Sequence, residues 1–182
     1  MKHQEYLDLV EELLAENKTT GDDHSESMIH YTKMNFQRMK RWQTKGQLDE
    51  KTIEKIKGIK APQKWVVLTE GWCGDAAHSV PFIAKMAEAN PNISLEVKLR
   101  DENLDLMDQY LTNGGRSIPK LIAFDETGNE LFNWGPRPAQ MQEFVLESKE
   151  NEVPYSEYNV GLQKIYNADK GQSIQKEIIE KF

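Results

Sequence analysis

The sequence predicts an α/β protein: a central mixed four-stranded sheet flanked by helices, with further helices added at both ends. Three observations carry this. Apolar residues recur at helical spacing through the first third of the chain. From Lys64 the pattern changes to short apolar runs that alternate with helical stretches in the order β-α-β-α-β-β-α. Beyond Pro154 helical spacing returns. A helix between two strands makes them parallel neighbours, whereas a tight turn makes an antiparallel pair, so this order gives a mixed sheet.

Each element has a local reason. Tyr6, Leu9, Val10, Leu13 and Leu14 form one apolar stripe on an acidic helix that ends near Asn17. The polar run "TTGDDHSES" supplies turn and N-cap chemistry for a second helix, Glu26 to Thr44, which Gly46 ends. Asp49 caps a third, short helix in "LDEKTIEKIKGI". "KWVVLTE" (64–70) reads as a buried strand, "DAAHSVPFIAKMAEAN" (75–90) as a helix and "ISLEVKLR" (93–100) as a half-buried strand. "NLDLMDQYLTNGG" (103–115) reads as a helix stopped by its two glycines. "KLIAFD" and "NELFNW" form a hairpin through "ETGN", and "PAQMQEFVLES" is a closing helix. "SEYNVGLQKIYNADKG" and "SIQKEIIEKF" add two more, with Tyr158, Leu162 and Ile165 on one face. The expected organisation is a helical extension over 1–60, a central domain over 61–150, and a C-terminal helical extension over 151–182 that packs on the same domain.

Composition excludes several classes of function. With 38% hydrophobic and 29% charged residues the 182-residue chain can bury a real core. A net charge of −7 argues against general nucleic-acid binding, because phosphates repel it. Runs such as "WVVL" and "LIAF" are too short to span a bilayer, and "MKHQEYLDLVEELL" lacks the apolar centre of a signal peptide. Neither nucleic acid nor membrane is therefore expected as a partner, and a cytoplasmic location is. Charge is uneven: residues 1–27 carry two Lys against eight acids, and residues 28–60 carry nine Lys or Arg against three. Paired or solvated helix faces account for this pattern. His24 and His30 lie six apart, on different helix faces, and His3 is expected to be exposed. No metal site and no cofactor are expected.

Chemistry concentrates in "TEGWCGDAAHSVP" (69–81), which holds the only cysteine, Cys73. This stretch and its surroundings resemble the thioredoxin superfamily over residues 61–150. Trp72 and Cys73 stand between the first strand and a helix, where the superfamily carries "WCGPC". Pro81 follows Cys73 by eight residues, like the proline that kinks the corresponding helix. "RSIPKLIAF" (116–124) is similar to the second signature, in which Ile118-Pro119 would carry a cis peptide bond, and Gly135 matches the glycine that borders the substrate groove. "WCGDA" and "YNADKG" are also similar to an uncharacterised bacterial group of thioredoxin-like proteins with helical extensions.

The departures decide the function. A dithiol oxidoreductase needs a second thiol three residues after the first to resolve the mixed disulfide, and that position is Ala76. The buried acid six residues before the thiol is replaced by Val67, and the proline after Gly74 by Asp75. Glu70 and Asp75 oppose ionisation of Cys73, while a helix N-terminus favours it. The resemblance implies a groove formed by Trp72, Gly74, Asp75, Ala76, Ile118, Pro119 and Gly135, with Glu70 and His78 as modulators. The leading expectation is a module that binds a protein, a peptide or a thiol such as glutathione, without dithiol turnover. The alternative is a monothiol disulfide oxidoreductase with Cys73 as its catalytic residue, forming mixed disulfides. A third chemistry would use Glu70, Asp75 and His78 as acids, bases or ligands, since Asp75 and His78 share a helix face.

Overall fold

The computed structural model describes residues 1–182. Three helices lead the chain: α1 (His3–Ala15), α2 (Glu26–Lys45) and α3 (Glu50–Gly58). They are followed by β1 (Gln63–Thr69), α4 (Gly74–Glu88), β2 (Ile93–Leu99), the single turn α5 (Leu104–Met107), β3 (Lys120–Phe124) and β4 (Glu130–Trp134). Three further helices close the chain: α6 (Ala139–Glu150), α7 (Tyr155–Asp169) and α8 (Gln172–Ile179). The sheet order is β2-β1-β3-β4, with β1 parallel to β2 and antiparallel to β3, and β3 antiparallel to β4. This is the mixed four-stranded sheet expected from the element order.

Helix starts follow from capping. The Ser25 hydroxyl accepts the Met28 N–H at 3.5 Å, and the Asp49 carboxylate accepts the Thr52 N–H at 2.7 Å. β1 is buried on both faces from Trp65 onward because helices cover both sides of the sheet. α4 is buried almost all round, with Ala76, Ala77, Val80, Ile83 and Met86 in the core. α2 packs on one side of it, and α3 and α8 on others. One continuous core runs from Tyr6 in α1 to Ile179 in α8, so the terminal helices share the interior of the sheet.

Two expectations change. The stretch 103–115 forms only the turn α5, not a helix to Gly115. Asn113 and Gly114 both take positive φ, at 51° and 76°, and Thr112 and Gly115 exchange backbone hydrogen bonds of 2.9 and 3.0 Å. Asn-Gly suits such a tight reversal, and it wins over helix continuation. His3 is buried rather than exposed, because the Met1 backbone pairs with Val97 at the edge of β2 and draws the start of α1 onto the sheet. Burial, reinforced by Lys85, lowers its pKa to about 4.

Candidate functional site

Cys73 is the N-cap of α4 and sits just beyond the C-terminal end of β1. Its Sγ accepts the Ala76 N–H at 3.4 Å, and its S–H donates to the Ile118 carbonyl at 3.3 Å. Only 8% of the residue is exposed. Burial, with Asp75 second, pushes the thiol up to about 12, against the backbone N–H groups of Ala76 and Asp75 and the Arg137 guanidinium, which act the other way. The helix N-terminus therefore loses to desolvation at this sulfur.

The loop carrying the thiol is held by α2 and by the connection that precedes it. Asn35 of α2 donates to the Trp72 carbonyl at 2.8 Å, and the Thr20 hydroxyl accepts the Gly71 N–H at 2.9 Å. Ile118-Pro119 is cis, as the resemblance implies, and Gly135-Pro136 is cis as well. Gly135 has φ of +119°, and a side chain there would run into the Pro119 carbonyl. Only glycine permits that approach.

A pocket of about 440 Å³ opens over the thiol. Of the residues singled out from the sequence, Trp72, Cys73, Gly74, Asp75 and Ile118 line it. Ala76, Pro119 and Gly135 are not among its lining residues; Ala76 is fully buried. Arg100, Arg116, Ser117, Arg137 and Tyr155 complete the lining and were not singled out from sequence. Arg116 lies inside the quoted "RSIP" and Arg137 in "GPRPA", but a guanidinium carries no local signal of the pocket it will enter. The larger cleft of about 660 Å³ between α3 and α8 mixes Asp49, Lys51, Asp169 and Lys176, and its Ser173 hydroxyl is bonded to Asp169 at 2.5 Å.

Asp75 does not touch His78. Its carboxylate forms a two-point pair with Arg137, at 2.6 and 3.1 Å, and accepts the Tyr166 hydroxyl at 2.7 Å. His78 is buried, because α2 and α7 close over this face of α4. Its Nδ1 accepts the Trp42 indole N–H at 2.9 Å, so its Nε2–H donates to the Gln163 side-chain oxygen at 2.7 Å. The ring stacks on Tyr166 at 4.4 Å. Burial lowers the imidazole to about 4, which keeps it neutral. Glu70 is buried too: one carboxyl oxygen accepts the Asp101 N–H at 3.0 Å, the other has no partner, and burial raises its pKa. No group of three or more His, Cys, Asp or Glu is placed to hold a metal ion. The third chemistry has no assembled site, since these residues are turned to separate partners.

The sheet order, the cysteine at the start of α4 and the cis-proline loop opposite it define a thioredoxin-fold protein with one cysteine. A family model described as Thioredoxin matches residues 21–153, and the chain belongs to that family. A protein of unknown function from Pseudomonas aeruginosa has a similar crystal structure, with 16% identity, a TM-score of 0.61, and coverage of 100% of this chain and 96% of that one. An HIV epitope-scaffold is similar at 16% identity and a TM-score of 0.58, covering 100% of this chain and 97% of the other. No curated protein matches the chain. No helix is long and apolar enough to cross a membrane.

Proposed function

We propose that the protein is a binding module that holds a protein or peptide segment in the pocket over Cys73 and carries out no dithiol turnover. The observation that supports it best is the S–H of Cys73 donating to the Ile118 carbonyl in a site where only 8% of the residue is exposed. A thiol bonded in this way is held as the neutral form, which is a poor nucleophile. Ala76 offers no second sulfur to release a mixed disulfide. In this reading the segments 1–60 and 151–182 are walls of the module around the central domain 61–150, and a cytoplasmic location suits a lone reduced thiol.

The monothiol oxidoreductase reading draws on one observation: Cys73 lines the pocket, and the Arg137 guanidinium favours its thiolate. Incubation with oxidised glutathione separates the two. The binding module gives no adduct on the folded protein and one adduct in denaturant. A rapid adduct on the folded protein, lost in Cys73→Ser, supports the monothiol reading instead.

A further inference from the structure

We infer that the pocket over Cys73 selects an acidic peptide segment, one with carboxylates beside an aromatic or aliphatic residue; this rests on the binding-module reading. Arg100, Arg116 and Arg137 line a pocket whose only carboxylate is Asp75, and because Arg137 is taken up by Asp75 and Gln142, Arg100 and Arg116 are the guanidinium groups left to meet a ligand. They do so in a chain of net charge −7, against its overall field. Asp75 is fully engaged by Arg137 and Tyr166, so it presents little free charge to a ligand.

Arg100 and Arg116 pair with Asp101 and Asp108, which stand outside the lining. Those carboxylates are 39% and 47% exposed, and such surface pairs contribute little, so an incoming carboxylate can share the guanidinium. Arg116 binds Asp108 through Nε and one terminal nitrogen and keeps the other free.

The remaining surface is aromatic. Arg100 lies over the Trp72 ring at 4.9 Å, and Tyr155, 56% exposed, packs edge-on against Tyr158 at 5.3 Å. Trp, Tyr and Arg together are the residue types that anchor protein interfaces, and a pocket of about 440 Å³ fits a few side chains rather than a whole domain.

The test uses the full chain and a capped octapeptide of six glutamates, one tyrosine and one phenylalanine, with lysine and glutamine versions as controls, followed by amide NMR shifts. The glutamate peptide is expected to shift Gly74, Ser117 and Tyr155 saturably, with affinity about tenfold lower in Arg116→Glu and falling with added salt. Lys57→Glu, before the start of β1 and at the opposite end of the sheet, should leave affinity unchanged. Absence of shifts at the pocket, equal binding of the lysine peptide, or an unaffected Arg116→Glu variant would overturn the inference. Equal binding of the glutamine peptide overturns the acid preference and leaves the binding module standing. Loss of the module reading itself would show separately, as turnover through Cys73.

Discussion

The indole N–H of Trp42 donates to Nδ1 of His78 at 2.9 Å in the buried interior, and this bond ties α2 to the helix that carries the thiol. Trp42→Phe keeps most of the apolar contact and leaves the imidazole nitrogen unpaired. The expected cost is about 1–3 kcal/mol in urea unfolding, with the denaturant slope unchanged. A variant as stable as the wild type would show that the bond does not brace α2 on α4.

Acid should weaken the fold through two histidines. His3 and His78 each have a folded pKa of about 4 against an ordinary 6.5, so between those values the unfolded chain binds more protons. Their contribution is fully present above pH 6.5 and is lost as pH falls through that window toward 4. Each accounts for at most on the order of 3 kcal/mol. Urea midpoints measured from pH 7.5 to 4 should fall, and His78→Gln should flatten the slope. An unchanged slope in that variant would contradict the buried neutral imidazole.

The Asp75–Arg137 pair should behave as a buried ion pair, since its side chains are 11% and 18% exposed. Arg137→Met strands the carboxylate and is expected to cost about 3 kcal/mol. Adding Asp75→Asn should recover part of that loss, because a neutral amide tolerates burial better than an unpaired charge. A double variant no more stable than the single one would place the role of Arg137 elsewhere.

Much of this was legible in the sequence because the signals are local. Strand runs, the Asp49 cap, the capping run "TTGDDHSES" and the "SIP" loop are each written within a few residues. The expected helix over 103–115 failed for a local reason as well: Asn113-Gly114 reads equally as a helix stop and as a tight reversal, and the backbone pairing of Thr112 with Gly115 decides it. The site was only half legible. Arg100, Arg137 and Tyr155 reach the pocket from three separate segments, and the burial of His78 depends on α2 and α7 closing over it. No spacing in the sequence encodes that closure. The balance at Cys73 was equally hidden, since whether the helix N-terminus or desolvation governs the thiol depends on how deeply the sulfur is covered.

Restoring the missing sulfur tests the placement of α4. The Ala76 N–H already meets Cys73 Sγ, so a sulfur at residue 76 stands within reach of it. Ala76→Cys should close an internal disulfide under mild oxidation, with Cα atoms roughly 5.5 Å apart. The measurement is loss of both thiols to alkylation without dimer formation. Two thiols that remain free after oxidation would contradict the position of Cys73 at the helix start.

Cys73 is held as a neutral, hydrogen-bonded thiol, and its alkylation rate against pH tests this most directly. In the folded protein the rate should stay far below that of the denatured chain, with no inflection below about pH 10, in keeping with a thiol pushed up to about 12. A fast reaction with an inflection at or below about 8.5, where a free cysteine ionises, would contradict the account and make Cys73 a working nucleophile.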